Sequence, residues 1–284
     1  MAQIMDGKLT SKLVREEIAE KVISFKEKYN RAPGLAVIIV GEDPASQVYV
    51  RNKKRGCEEV GFYSVGYELP ESTTQEDLVS LVEKLNNDDK IDGILVQLPL
   101  PKHLNETEIL LKIKPEKDVD AFHPYNVGKI MIGNYDLLPC TPAGVIVMLE
   151  KYGIDVKGKK CVVIGRSNIV GKPMAMLLLH ANGTVTICHS KTENLKEICR
   201  EADILVASIG KPEFVRADMV KEGAVVVDVG INSTTDGKLV GDVCFAEVEP
   251  KASYITPVPG GVGPMTITML LKNTLTAAEI KMSK

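Results

Sequence analysis

The stretch Lys160-Cys-Val-Val-Ile-Gly-Arg-Ser-Asn-Ile-Val-Gly-Lys-Pro-Met-Ala-Met176 decides the fold. Cys161 to Ile164 is a short apolar run, suited to a strand buried on both faces. Gly165 and Gly171 bracket a polar turn. Pro173 suits the first turn of a helix that continues through Leu179. A strand-to-helix junction of this kind presents unpaired backbone N–H groups and the positive end of a helix dipole, which together favour phosphate. The spacing Gly165-x-Ser167-x-x-x-Gly171 departs from G-x-G-x-x-G. On this turn alone, a nucleotide site and an ordinary turn stand level.

Downstream of the turn, strands are expected at Thr184–Cys188, Ile204–Ser208 and Val225–Val229. Helices are expected at Pro173–His180 and Leu195–Glu201, with a short one near Ala217–Val220. This alternation is a doubly wound nucleotide-binding pattern. Gly237–Val243 reads as a loop with a short strand, and Tyr254–Thr256 as a last strand. Pro257 to Pro264 holds Gly260, Gly261 and Gly263 between prolines, which suits a shaped, ligand-facing turn. A final helix is expected from about Met265 to Ile280.

Upstream, Val14, Ile18, Val22, Phe25 and Tyr29 fall on one stripe and predict a helix over Ser11–Tyr29. Leu35–Val40 reads as a buried strand, Pro44 to about Val60 as a helix, and Phe62–Leu69 as a strand. Gln75–Leu85 is an amphipathic helix, Ile94–Val96 a buried strand and Thr107–Ile113 a short helix. This is a second parallel α/β unit. Lys114–Pro139 breaks the rhythm with Pro115, Pro124, Gly128 and Gly133, and reads as an inter-domain crossing. Thr141-Pro142 then caps a helix to about Tyr152. The expected fold class is α/β: two α/β domains flanking a cleft, the second a Rossmann-like doubly wound parallel sheet. Residues 1–139 with 265–284 form one domain and residues 140–264 the other, with the last helix packed back on the first domain.

Composition excludes several classes of function. With 284 residues there is room for two domains, and 44% hydrophobic with 26% charged residues is the balance of a globular protein. Net charge is −3 and no basic cluster stands out, so no nucleic-acid partner is expected. Trp is absent, which removes the usual stacking platform. The apolar runs are too short to span a bilayer, and the N-terminus lacks the apolar core of a signal peptide. None of the six cysteines forms a C-x-x-C pair, so buried thiols in a reducing cytoplasm are expected. The histidines lack metal-ligand spacing, and no metal is expected. G-x-S-x-G and P-loop motifs are absent.

Several residues are candidates for chemistry. Tyr49 and Lys53 are one helical turn apart on one face. A solvated basic face accounts for the run Arg51–Arg55 and is the commoner fate of such a run. A lysine held in a cleft, with its pKa lowered, is an acid–base catalyst. Gln97 follows a strand directly, where ligand sites of parallel sheets collect, although a plain polar terminus accounts for it too. Asp118 and Asp120 offer a carboxylate that suits an aminopyrimidine-like donor pair, or serve as turn residues. After the second strand of the nucleotide unit comes Cys188-His189-Ser190-Lys191, with no carboxylate for a ribose 2′-hydroxyl. Arg166 and Ser190 suit a 2′-phosphate, so NADP is preferred over NAD.

Seven motifs stand in register: Tyr49-Val-Arg-Asn-Lys53, Val96-Gln-Leu-Pro-Leu-Pro101, Pro115-Glu-Lys-Asp-Val-Asp120, Pro139-Cys-Thr-Pro142, Gly165-Arg-Ser-Asn-Ile-Val-Gly171, Asp228-Val-Gly-Ile-Asn232 and Pro257-Val-Pro-Gly-Gly-Val-Gly-Pro-Met-Thr266. Over nearly its whole length the chain resembles the bifunctional methylenetetrahydrofolate dehydrogenase/methenyltetrahydrofolate cyclohydrolase family. The resemblance implies that the first domain is catalytic and folate-binding, and the second NADP-binding. It implies Lys53 as the catalytic lysine, with Tyr49 beside it and Gln97 as its hydrogen-bonding partner. Folate contacts are implied at Tyr49, Lys53, Val96, Gln97, Leu98, Asp120, Pro259, Gly260, Gly261, Val262 and Gly263. NADP contacts are implied at Gly165, Arg166, Ser167, Ser190 and Ile231. The implied substrates are 5,10-methylene- and 5,10-methenyltetrahydrofolate, and the implied assembly is a homodimer. Ala121 departs from the family, which usually has Gly after the D-V-D. A dehydrogenase-only relative using NAD, and a non-catalytic nucleotide-binding module, are the alternatives. Intact Lys53 and Gln97, with the missing carboxylate near Ser190, weigh against the first, and polar cleft residues kept alongside the glycines weigh against the second.

Overall fold

Short runs of Val, Ile and Leu become parallel strands, because a β-branched or aliphatic run packs on both faces of a sheet that is covered by helices. In the computed structural model, which describes residues 1–234 and 236–283 (Pro44 and Ala45 in backbone only), these strands fall into two units. One unit comprises Met1–Lys12 and Thr141–Thr266, the other Leu13–Cys140 and Ile267–Lys284. In chain order the strands are β1 (Gln3–Ile4), β2 (Gly34–Val40), β3 (Tyr63–Leu69), β4 (Gly93–Val96), β5 (Lys160–Ile164), β6 (Thr184–Cys188), β7 (Ile204–Ala207), β8 (Val225–Asp228), β9 (Asn232–Ser233), β10 (Leu239–Val240) and β11 (Tyr254–Ile255).

The unit containing Thr141–Thr266 is built on a six-stranded sheet of order β1-β11-β8-β7-β5-β6, in which every pairing is parallel. Ile164, Leu205, Val226 and Ile255 are buried in its core, with Val248 and Met219 packed among them. The strand β9 and its antiparallel partner β10 form a separate ribbon. The unit containing Leu13–Cys140 has a three-stranded parallel sheet, β3-β2-β4. Ala36, Ile38, Ile94 and Val96 meet Leu78, Val82, Leu85 and Ile109 in its core.

The helices are α1 (Gly7–Tyr29), α2 (Pro44–Val60), α3 (Gln75–Asn86), α4 (Glu106–Lys112), α5 (Pro124–Met131), α6 (Cys140–Lys151), α7 (Gly171–His180), α8 (Leu195–Arg200), α9 (Phe245–Val248) and α10 (Val262–Met282). Among the described residues none is long and apolar enough to cross a membrane.

Four differences from the expected elements stand out. The first is that α1 starts at Gly7, ahead of Ser11. The Asp6 carboxylate accepts from the N–H groups of Lys8 and Leu9 at 2.8 and 3.0 Å and caps that start. The second is the pairing of β1 with β11, which places Met1–Lys12 in the unit of the six-stranded sheet, not with the residues that follow them in sequence. A two-residue strand carries no readable period. The third lies in Lys114–Pro139, expected to be irregular, which contains α5. There Pro124 takes the first helical position and His123 Nδ1 accepts from the Tyr125 N–H at 3.1 Å. The fourth is that α10 begins at Val262, inside the glycine-rich segment, so Val262 and Gly263 belong to its first turn.

Candidate active site

The lysine site grows out of α2. Asp43 caps this helix by accepting from the Ser46 N–H at 2.7 Å, and Pro44 opens its first turn. Helical spacing then sorts the basic run. Arg51, Lys54 and Arg55 are exposed, whereas Lys53 is buried, at 8% exposure. Tyr49 is half-buried, one turn earlier, and burial raises its hydroxyl pKa.

The Lys53 ammonium donates to Gln97 Oε1 at 2.8 Å. Gln97 stands directly after β4, where its backbone N–H is held by Ile38 O at 2.8 Å and its own amide donates to Leu98 O at 2.7 Å. Val96 is buried and Leu98 half-buried beside it. Burial lowers the Lys53 pKa from the ordinary lysine value, and the carboxylate of Asp120 opposes the shift. Asp120 feels the reverse: burial raises it and Lys53 draws it down.

Asp118 and Asp120 do different things. The Asp118 carboxylate accepts from the His123 N–H at 2.8 Å and from Asn126 Nδ2 at 2.9 Å, so it shapes its own loop. Asp120 meets the thiol of Cys140, whose Sγ lies 3.5 Å from Asp120 Oδ1 and 3.5 Å from Val119 O. Burial and the Asp120 charge push the Cys140 thiol well above its usual pKa, which keeps it a donor. Asn273 of α10 ties these segments together through Nδ2, at 2.8 Å to Val119 O and 2.7 Å to Leu138 O.

Cys140 lies in the Pro139-Cys-Thr-Pro142 motif without a role assigned to it, and Asn273 lies in no motif. The available signal was Asn273 itself, the one side-chain amide in the apolar helix α10. Asn273→Ala removes one donor from two carbonyls. It is expected to lower stability by about 1–3 kcal/mol, read from the urea midpoint. Ala121, where the resemblance expects Gly, adopts φ +56° and is fully buried. The burial of its methyl, about 0.8 kcal/mol, offsets much of a left-handed strain of about 1–2 kcal/mol.

In the other unit, the turn after β5 is shaped for a bare backbone. Gly165 has φ +129°, and a Cβ there would fall 2.4 Å from Ser208 O. Ser167 Oγ accepts from the N–H groups of Val170 at 3.1 Å and Gly171 at 3.2 Å, ordering the entry to α7. Arg166 and Ser190 are exposed. Ile231, also exposed, follows β8, and its Cδ1 lies 3.7 Å from where a Cβ on Gly263 would be. Pro259 is exposed, Gly260 has φ +105°, and Gly261 and Val262 are buried. A turn with a bare glycine, a serine cap, a neighbouring guanidinium and no carboxylate at the end of the second strand fits a phosphorylated dinucleotide. Among the described residues no group of three or more His, Cys, Asp or Glu comes together to hold a metal.

A doubly wound parallel sheet with this turn, and a separate α/β unit with a buried lysine bonded to a glutamine, define a class: dinucleotide-linked enzymes of acid–base chemistry. Residues 5–120 match the description tetrahydrofolate dehydrogenase/cyclohydrolase, catalytic domain, and residues 139–282 match the NAD(P)-binding domain of the same family. The bifunctional protein FolD of Acetivibrio thermocellus is 60% identical over 99% of this chain and 98% of its own length. The crystal structure of the bifunctional enzyme FolD from Campylobacter jejuni superposes with a TM-score of 0.96 at 51% identity, covering 99% of this chain and 100% of the other. The Trypanosoma brucei methylenetetrahydrofolate dehydrogenase-cyclohydrolase, solved with NADP and an inhibitor, has a TM-score of 0.95 at 43% identity, over 100% of this chain and 99% of that one. The chain belongs to the tetrahydrofolate dehydrogenase/cyclohydrolase family.

Proposed function

We propose that the protein oxidises 5,10-methylenetetrahydrofolate to 5,10-methenyltetrahydrofolate with NADP⁺, and then hydrolyses the product to 10-formyltetrahydrofolate. The observation that carries this reading is the buried Lys53 ammonium bonded to Gln97, in a chain that matches the family along both units. NADP⁺, when bound, accepts the hydride that leaves the one-carbon bridge of the substrate. The chain's part in that step is orientation. Gly165, Arg166, Ser167, Ser190 and Ile231 hold the dinucleotide, with Arg166 and Ser190 on the 2′-phosphate.

In the second step water adds to the methenyl carbon while Lys53, as the neutral amine, takes one of its protons. The ammonium then protonates the departing ring nitrogen as the carbinol O–H proton passes to solvent and the formyl C=O forms. The bond to Gln97 fixes the direction of the amine. A cationic methenyl substrate lowers the Lys53 pKa further, in the same direction as burial. Asp120 accepts from the aminopyrimidine end of the folate. Tyr49, Val96, Leu98 and the segment Pro259–Gly263 complete the folate contacts.

NADPH and methenyltetrahydrofolate absorb differently, so one spectrophotometric assay run with NADP⁺ and with NAD⁺ tests the reading. NADPH formation followed by decay of the methenyl signal is expected. Turnover with NAD⁺ alone would favour the dehydrogenase-only reading. Arg166→Ala is expected to raise KM for NADP⁺ by about tenfold while leaving KM for NAD⁺ within about twofold. Equal changes would remove Arg166 from the 2′-phosphate. The six free, buried cysteines favour a reducing cytoplasm. Membership of the family supports a homodimer and a role in one-carbon metabolism that feeds purine biosynthesis.

A further inference from the structure

Two buried carboxylates in the six-stranded unit belong to none of the roles above. Asp228 ends β8 and Asp242 follows β10, at 3% and 0% exposure. No cation joins them in a salt bridge among the described residues. Backbone N–H groups do the work instead. Asp228 accepts from Gly230 at 3.0 Å, Asp242 at 2.9 Å and Val243 at 2.8 Å. Asp242 Oδ2 accepts from the N–H groups of Ile209 at 2.6 Å and Gly210 at 3.1 Å, and its Oδ1 from Lys211 at 2.8 Å and Asn232 Nδ2 at 3.0 Å. The packing is close enough to require glycine: a Cβ on Gly230 would sit 2.3 Å from the Asp242 carboxyl carbon.

Three consecutive N–H groups converging on one carboxylate form an anion-binding nest that the chain fills itself. Its location gives it a consequence. Ile209–Lys211 is the loop at the carboxyl end of β7, and Asn232 lies in the segment after β8. In an open parallel sheet these are the loops that meet a ligand. The β7 loop reaches the nucleotide turn through Ser208. Its carbonyl is the atom pressed on Gly165, and its hydroxyl donates to Ile164 O at 3.1 Å. Asn232 adjoins Ile231, one of the residues assigned to the dinucleotide. Asp242 therefore connects both loops bordering that site, through backbone N–H groups of the β7 loop and the side-chain amide of Asn232.

We propose that Asp242 is a positioning residue for the dinucleotide: its carboxylate sets the loops after β7 and β8 at the spacing that NADP⁺ binding needs. The proposal rests on the NADP reading above and extends it to a residue outside the contact set. The carboxylate has two acceptor oxygens, and an amide has one. Asp242→Asn therefore turns an N–H group toward either Lys211 or the Ile209–Gly210 pair and releases that loop.

The test is titration calorimetry of NADP⁺ into the full-length chain, alongside steady-state kinetics of both steps. In Asp242→Asn, Kd and KM for NADP⁺ are expected to rise together by about tenfold. Hydrolysis of supplied methenyltetrahydrofolate, which consumes no nucleotide, is expected to stay within about twofold. Asn232→Ala removes one donor and leaves the three-amide nest intact, and a rise in Kd of about threefold is expected. That milder variant keeps the test open should Asp242→Asn fail to fold. Unchanged NADP⁺ affinity in the folded variants would overturn the inference. So would hydrolysis falling in step with NADP⁺ binding, the sign of a general structural role. Failure of the unaltered protein to bind NADP⁺ would overturn the functional reading itself, and this inference with it.

Discussion

Lys53→Ala is expected to lower methenyltetrahydrofolate hydrolysis by about a thousandfold or more, within the range for removal of a general acid–base group. The basis is the position of this amine. Of the basic run on α2, Lys53 alone is turned inward, where it is bonded to Gln97 and coupled to Asp120. The pH profile gives the second signature. A base must be neutral to accept a proton, so the rate rises with pH as Lys53 loses its own. Because burial lowers its pKa from 10.5, that limb falls at lower pH than a free lysine would give. In Lys53→Ala the limb should vanish, leaving only the slow rise of hydroxide attack. Lys53→Met fills the cavity without the amine, and it should behave as the alanine variant does. Circular dichroism and NADP⁺ affinity should remain those of the unaltered protein. Hydrolysis at the full rate in folded Lys53→Met would remove this lysine from the mechanism.

The second large effect is expected at Gly165. Gly165→Ala should cut NADP⁺-dependent oxidation by about a hundredfold or more while supplied methenyltetrahydrofolate is still hydrolysed. Two independent costs coincide there. The backbone is at φ +129°, a region that side-chain-bearing residues rarely adopt. The added Cβ would also lie 2.4 Å from Ser208 O and 2.6 Å from Ser208 Oγ, and the carbonyl cannot move without moving β7. Relief requires the turn to open, and the turn is part of the proposed dinucleotide site. Separate assay of the two steps decides the matter. Loss of both in proportion would mean that the substitution unfolds the chain and does not act on the nucleotide turn.

The parallel architecture was legible because its signal is local. Buried strands such as Leu35–Val40 and Cys161–Ile164 are continuous apolar runs, and the helices between them carry their period in a few residues. Lys53 was legible in a different sense. Helical spacing placed it beside Tyr49, but the same spacing served a solvated face equally well. Its inward direction depends on which side of α2 the rest of the unit covers. That is a property of packing, with no trace in the run Arg51–Arg55. The Asp118–Val119–Asp120 loop shows the same limit. Two identical side chains two residues apart differ in role because Asn126 reaches one and Cys140 the other.

The sequence by itself determined most strands and helices of the two α/β units, the strand-turn-helix at Gly165–Gly171, and a residue set that matched one family from Tyr49 to Thr266. Only the tertiary structure decided that Met1–Lys12 joins the six-stranded sheet, that α5 exists within a proline-rich segment, and that α10 starts at Val262. It alone revealed Asn273 tying Val119 to Leu138, and Asp242 holding two loops at once. The physical reason is range. Periodicity, capping and turn chemistry act over a few residues and leave a pattern in the chain. A hydrogen bond from Asn273 to Val119 spans 154 positions, and one from the Lys211 N–H to Asp242 spans 31, so only the folded chain brings their partners into reach.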